Sequence, residues 1–412
     1  MKIENSPLPD GWEIKKLGEV CEIKPPKKEA KAKLRGTDLV TFLPMEDLGV
    51  LNKEIVGVKE RQLKDVAGSY TYFADNDVLL AKITPCFENG KIGIARNLIN
   101  GIGFGSSEYI VFRSKGEIIQ DYLYYFLSRE AFRDEGKKVM TGAVGHKRVS
   151  KEFIENYLLP FPKSLPEQKR IVAILDKAFA AIAKAKANAE QNLKNAKELF
   201  ESYLQGVFEN PNNKWDKKRF DEVCGFVRGP FGGSLKKNIF KPNGYAVYEQ
   251  QHAIYDQFEK IRYFIDEKKF NEMKRFELNS GDLIMSCSGT MGKIAIVPPN
   301  IKKGIINQAL LKLSPSKNIS NIFLKLWMQS ESFQNSLKEY SGGAAIQNVA
   351  SVAILKNIKI PLPVISEQNK IVKEVQTLSA ETKKLEAIYQ QKIDDLEELK
   401  KSILQKAFNG EL

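Results

Sequence analysis

Two hexapeptides decide how this chain is organised: EQKRIV (167–172) and EQNKIV (367–372), placed 200 residues apart. Each follows a strand end bracketed by prolines, LPFP (159–162) and IPLP (360–363). Downstream, Glu198, Leu199, Ser202, Leu204, Gln205 and Phe208 recur at the same offset as Glu398, Leu399, Ser402, Leu404, Gln405 and Phe408. Upstream, Trp12, Lys15, Glu19, Val20 and Cys21 match Trp215, Lys218, Glu222, Val223 and Cys224 at an offset of 203. GKIGIA (90–95) likewise resembles GKIAIV (292–297). A period this long does not belong to a solenoid, whose repeats run to roughly 20–45 residues. It indicates a duplicated globular unit, each copy followed by a helix.

The helical segments follow from their periodicity. Residues 166–209 hold no proline after Pro166 and no glycine before Gly206, and Pro211 lies just beyond. Apolar residues recur at steps of three and four through Ile171, Leu175, Ala178, Ile182, Ala185, Ala189, Leu193, Ala196, Phe200, Tyr203 and Val207. That spacing makes a coiled-coil-like seam. The second segment, 366–412, carries the seam Ile371, Val375, Leu378, Thr382, Leu385, Tyr389, Ile393, Leu396, Leu399 and Ile403, with Ser366 as the expected N-cap and Gly410 as the stop. Each helix would span about 65 Å at 1.5 Å per residue. A twofold-related duplication would pair them antiparallel and bring the chain ends together. The terminal stripe Ile403, Leu404, Ala407 and Phe408, with Leu399 and the matching Leu199, Leu204 and Phe208, is wider than one seam requires and reads as a docking surface for a partner.

The four expected segments are a first globular domain (1–163), a central spacer helix (164–209), a second globular domain (210–365) and a C-terminal spacer helix (366–412). Short strands broken by Gly, Pro and Asn-Gly, each set followed by an amphipathic helix, make both globular units mixed α/β. The expected fold class is therefore α/β mixed: two globular domains, two long antiparallel helices and an internal pseudo-twofold repeat.

The 412 residues carry a net charge of +13, with 42% hydrophobic and 28% charged side chains. These proportions suit folded globular domains and exclude disorder for the bulk of the chain. The charge is uneven: residues 210–365 hold +10 of it and residues 1–163 only +3. A basic excess suits a polyanionic partner. No apolar run is long enough to span a membrane, and the opening MKIENSPLPDGWEIKK lacks a signal-peptide core, so a cytoplasmic location is expected. Four scattered cysteines (Cys21, Cys86, Cys224, Cys287) and two histidines (His146, His252) do not cluster as zinc ligands, and no metal site is expected.

Catalytic motifs are weak. GIGFG (101–105) has alternating glycines but lacks the third glycine, the following helix and the distal acid of a dinucleotide site. Pro9-Asp10 with Glu13 and Lys15 imitates a nuclease signature within one short amphipathic stretch. No GxSxG elbow, Walker loop or NPPY-like tetrapeptide is present. The expectation is a chain with no active site of its own.

Nucleic-acid contacts have better candidates. In the first unit, Lys82, Thr84, Asn89 and Lys91 surround a turn between two strands, and His146, Lys147 and Arg148 follow flexible glycines. In the second, the Gly-rich RGPFGGSLKK (228–237) offers Arg228, Ser234, Lys236 and Lys237. SCSGTMGK (286–293) offers Ser286, Ser288, Thr290 and Lys293, and SGGAAIQNV (341–349) offers Gln347 and Asn348. Small polar and basic groups on turns reach phosphates and base edges, Gln and Asn suit adenine, and Arg suits guanine.

LPDGWEIKKLGEVCEI (8–23), LLAKITPCFENGK (79–91), EQKRIV, EQNKIV and the terminal ILQKAFNGEL together resemble the specificity subunit of type I restriction-modification systems, over essentially the whole chain. The second unit's opening, KWDKKRFDEVCGF (214–226), departs from that pattern by lacking the Pro-x-Gly-Trp lead. The resemblance implies two target recognition domains, each reading half of a split double-stranded DNA target, with the helices as a ruler between them. It implies two methyltransferase subunits docked on the helices and restriction subunits beyond them. It implies no catalysis by this chain; S-adenosylmethionine, ATP and magnesium would sit on the partners. The rival readings are the specificity subunit of a bifunctional cleaving-methylating enzyme of another type and a coiled-coil interaction scaffold that ignores DNA.

Overall fold

A computed structural model describes residues 8–55, 57, 59–209, 215–339 and 352–412. The chain divides into two compact units, 1–190 with 391–412 and 191–390. Each long helix therefore contributes one stretch to each unit.

The repeat seen in the sequence is a repeat of sheets. Unit 1 holds an antiparallel four-stranded sheet ordered Cys21–Ile23, Tyr109–Ser114, Val78–Ala81, Ile92–Ile94. Unit 2 holds its counterpart, ordered Cys224–Arg228, Leu310–Pro315, Leu283–Ser286, Ile294–Ile296. Each unit has a second sheet built around one parallel pair, Leu39–Leu43 with Ile102–Gly105 and Tyr245–Tyr248 with Gly304–Ile306. A two-stranded ribbon, Trp12–Lys16 with Leu158–Pro162 and Asp216–Arg219 with Lys359–Leu362, then leads to each long helix. The amphipathic helix expected in each unit is two helices, Gln120–Leu127 with Glu130–Lys138 and Asn321–Gln329 with Glu331–Glu339. The break falls at a buried serine in both: Ser128 and Ser330 turn their hydroxyls back onto the carbonyls of Tyr125 and Trp327.

The alternating glycines of GIGFG are packing sites. A Cβ on Gly103 would lie 2.1 Å from the Phe73 ring, and one on Gly105 would lie 2.3 Å from the Leu43 carbonyl oxygen. Both glycines stand inside the strand Ile102–Gly105, where close approach of neighbours demands them.

The long helices run Leu165–Glu209 and Ile365–Asn409. The second begins before Ser366, so Ser366 is not its cap; Val364 takes that place, its carbonyl accepting from the N–H groups of Glu367 and Gln368. Gly410, at φ +77°, ends the helix in the left-handed region against Pro9. Leu412 accepts from Arg170 at 2.6 Å, so the C-terminus does return to the first domain. The two helices meet in each unit: in unit 1 Arg170 reaches Leu412 and Lys186 bridges Glu397, an antiparallel order, and in unit 2 Tyr203 donates to Glu374.

The hexapeptide repeat has a physical reason. Gln168 and Gln368 are both fully buried. Gln168 accepts from the Ile119 N–H (2.9 Å) and donates to the carbonyls of Glu117 (2.8 Å) and Pro162 (2.9 Å). Gln368 accepts from the Ser320 N–H (2.8 Å) and donates to Asn318 (3.0 Å) and Pro363 (2.8 Å). A primary amide is the one uncharged side chain with an acceptor and two donors on a planar head. Each glutamine pins the start of its helix to its own domain. The hydrophobic core closes around that pin: Ile171, Val172 and Leu175 in unit 1, Ile371, Val372 and Val375 in unit 2.

The terminal stripe corrects the docking expectation. Leu404, Ala407 and Phe408 are buried in the core of unit 1, where Phe408 meets Tyr122 and Phe126 edge-on, and Ile403 is half-buried against it. Leu204 and Phe208 are buried in the core of unit 2, where Phe208 packs on Phe323. The stripe is wide because each helix end completes a domain core in addition to its seam. Only Leu199 and Leu399 of the eight remain exposed, joined on the second helix by Leu385 and Ile388.

Candidate nucleic-acid interface

In each unit the loops singled out by sequence, among the described residues, emerge at one end of the four-stranded sheet. In unit 1 the strand Val78–Ala81 continues into Lys82 and Thr84, which pair with the stretch at Lys147–Val149. The Thr84 N–H donates to Lys147, and the Val149 N–H donates to Lys82. The Lys82 N–H in turn donates to Glu108. Lys82, Thr84, His146, Lys147 and Arg148 are thereby brought to one place, although some 60 residues separate the two segments.

This cluster is held by its own charges. Arg148 grips Glu108 with two hydrogen bonds of 2.9 and 2.8 Å, and Lys82 donates to the Ser107 carbonyl at 2.9 Å. The Arg148 guanidinium holds the Glu108 carboxyl below the usual carboxylate range, with Lys82 adding to the effect. Burial pushes the Lys82 ammonium down, partly offset by Glu108. Glu108 was not legible as a site residue. Its signal is only an acid at the mouth of an apolar strand, EYIVF. Its partner Arg148 is consequently a paired arginine, which must exchange Glu108 for a base or phosphate to read either.

The turn after Lys82 is not a tight hairpin. Residues 84–90 form a helical turn in which Phe87 is buried against Phe132. Thr84 donates to Glu88, and Asn89 is exposed. Lys91 is half-buried, and its ammonium donates to the Met45 carbonyl at 2.7 Å, tying two loops together.

In unit 2 the ends of Cys224–Arg228, Leu283–Ser286 and the 307–310 turn converge. The Gly229 N–H donates to Leu310 and the Cys287 N–H to Ala309. Gly229 has no room for a side chain, since a Cβ would lie 1.8 Å from the Asn307 oxygen. Arg228 is half-buried beside the Cys287 thiol, which burial pushes up to about 11. Ser234, Lys236, Lys237, Thr290 and Lys293 are exposed, and Ser288 is half-buried. Ser286 is a correction: it is fully buried, donating to the Thr290 carbonyl and accepting from the Lys293 N–H. It shapes the 286–293 turn from inside. Gln347 and Asn348 lie outside the described residues.

Among the described residues, no group of three His, Cys, Asp or Glu side chains is placed to hold a metal ion. No helix among them is long and apolar enough to cross a membrane.

Comparison with known proteins places these two sheet-and-loop units in a family. The model of the type I restriction modification DNA specificity domain matches twice, over residues 9–194 and 212–397. The specificity subunit of the type I restriction enzyme EcoEI of Escherichia coli is 34% identical over 212 residues, covering 50% of this chain and 34% of that protein. The chain thus aligns with about a third of that relative's length. The MjaVIII specificity subunit of Methanocaldococcus jannaschii is 25% identical across 98% of this chain and 94% of its own. Two solved structures share the fold at 20% identity. One, from work on complex assembly and conformational transition of the type I R-M system, has a TM-score of 0.76 over 99% of this chain and all of its own. The other, the HsdS subunit of Thermoanaerobacter tengcongensis, has a TM-score of 0.70 over the full length of both.

Proposed function

The chain belongs to the family carrying the type I restriction modification DNA specificity domain, and on that premise we propose that it is the DNA-reading subunit of a type I restriction-modification complex. Each unit reads one half of a split, asymmetric duplex target. The loops at the sheet ends do the reading: Lys82, Thr84, Asn89 and the His146–Arg148 stretch in unit 1; Arg228, Ser234, Lys236, Lys237, Ser288, Thr290 and Lys293 in unit 2. The observation that carries this reading is the convergence of separate basic loops on the same end of the same sheet in both copies of the repeat. The helix surface left uncovered, with Leu199 and Leu399, is where methyltransferase subunits dock, and restriction subunits join through them. The chain contributes recognition and no chemical step. S-adenosylmethionine is held by the methyltransferase partner, and ATP and magnesium by the restriction partner. The assembly works in the cytoplasm, where the chromosome is.

Phosphate contacts release counterions, so affinity falls with salt at a slope of about −0.9 per contact. Reconstituted with its methyltransferase, the chain should bind target duplex with a steep salt slope. Neutralising Lys236, Lys237 and Lys293 together should flatten that slope by about 3. A complex that assembles but binds no duplex at low salt would mark the chain as a scaffold.

A further inference from the structure

Two apolar side chains stand almost fully in solvent: Val144 is 93% exposed and Phe231 is 92% exposed, more than any other large hydrophobic residue among those described. Scattered exposed apolar residues are ordinary. These two are distinguished by position, since one lies in the basic loop cluster of each unit. Val144 precedes His146, Lys147 and Arg148; Phe231 lies between Arg228 and the Lys236-Lys237 pair.

Both are displayed by firm supports. Val144 tips a narrow hairpin. The N–H of Thr141 donates to Arg148 at 3.1 Å, that of Arg148 donates back at 2.8 Å, and that of His146 donates to Ala143 at 2.9 Å. Gly142 (φ +124°) and Gly145 (φ +80°) turn the chain on either side, and Glu108 fixes the hairpin's base through Arg148. Phe231 tips a loop pinned at both ends. Gly229 is locked against Leu310 and Asn307, Pro230 is buried, and Leu235 is buried against the second sheet of unit 2. The Ser234 N–H closes the loop on the Phe231 carbonyl at 2.8 Å.

We propose that Val144 and Phe231 are the apolar reading tips of the two units, Val144 packing on a thymine methyl in the major groove and Phe231 wedging into a base step. This rests on the DNA-reading role proposed above. The flanking cations attract the phosphates, and the tip then discriminates by shape. Valine offers only a compact methyl surface, which suits contact with the thymine C5-methyl. Phenylalanine is a recurring wedge that partly unstacks a step, and steps differ in how readily they open. Each half-site would then contain a position read without any hydrogen bond.

The test is methylome sequencing of the host carrying the complete system with Val144→Ser, Phe231→Ser or Phe231→Leu. Both positions are exposed, so these changes leave the cores untouched. Val144→Ser should relax one or two positions in one half-site, raising methylation of non-thymine variants on the order of tenfold against wild type. Phe231→Ser should relax a step in the other half-site and leave the first intact. Phe231→Leu, still a wedge, should keep the wild-type motif. An unchanged motif at full methylation in both serine variants overturns the proposal. So does a uniform fall at every site with the motif unchanged, which would make the tips contacts for a protein partner. If deleting the whole gene abolishes no methylated motif, the DNA-reading role itself has failed, a different result from either.

Discussion

Replacing Gln168 with alanine should loosen the first long helix from its domain more than its single side chain suggests. The substitution removes the partner of three groups: the buried carbonyl of Pro162 and the part-buried Ile119 N–H and Glu117 carbonyl. A hydrogen bond contributes about 1 kcal/mol net, but a buried group left without a partner costs about 1–3 kcal/mol. Water entering the vacated space recovers part of this, which puts the loss for unit 1 at about 3 kcal/mol. For a unit of this size that is a fall in Tm of about 6–12 °C. Gln168→Glu should be worse than alanine, because it sets a carboxylate oxygen against two carbonyl oxygens. Gln368→Ala should cost unit 2 a similar amount through Ser320, Asn318 and Pro363. Calorimetry gives the stability change, and amide hydrogen exchange locates it. Gln168→Ala should speed exchange at Ile119 and leave Ser320 unchanged; Gln368→Ala should do the reverse. A loss below about 1 kcal/mol, or a tolerated Gln168→Glu, would refute the reasoning that the repeat preserves an amide anchor.

Other expectations follow from burial and charge. Cys21, Cys224 and Cys287 are buried, and burial pushes their thiols up to about 12, 12 and 11; at pH 8 their thiolate fraction is on the order of one in a thousand or less. A thiol reagent at pH 8 should therefore label half-buried Cys86 first and the other three only on unfolding, as mass spectrometry would show. The Glu108 carboxyl is held below its ordinary range by Arg148, so its contribution to stability is present above the unfolded carboxylate value and is lost as pH falls through the depressed one. Glu108→Gln should remove that acid-side slope from a denaturation series and cut discrimination in one half-site by freeing Arg148. Gly410→Ala should fray the C-terminal helix end, since its Cβ would lie 2.4 Å from Pro9 in a left-handed backbone; limited proteolysis should then release the terminus faster. Charging Leu199 and Leu399 with lysine should leave the melting temperature intact and abolish co-purification with the methyltransferase.

The repeat and the two long helices were legible because duplication and helical periodicity both leave marks on sequence. A 45-residue seam without proline declares itself, and the copied hexapeptides fix where each helix starts. The sheet ends were legible through short apolar runs such as VLLA and YIVF. What resisted was the direction in which polar side chains point. Lys91 and Ser286 are polar groups beside turns, but one donates to a loop carbonyl and the other lies at 0% exposure. The terminal stripe misled for a related reason: amphipathicity reports that a face is buried and is silent on what buries it, here the first domain's own Tyr122 and Phe126. The Arg148–Glu108 pair depends on a contact across 40 residues, which one sequence cannot disclose.

The central claim is that this chain chooses DNA sites for a methyltransferase through two independent readers. Single-molecule methylome sequencing of the host, with and without this gene, tests it most directly. The account predicts that one split, asymmetric motif with a fixed gap disappears when the gene is deleted and returns with complementation. Survival of every methylated motif in the deletion strain, with the partner genes expressed, would contradict it.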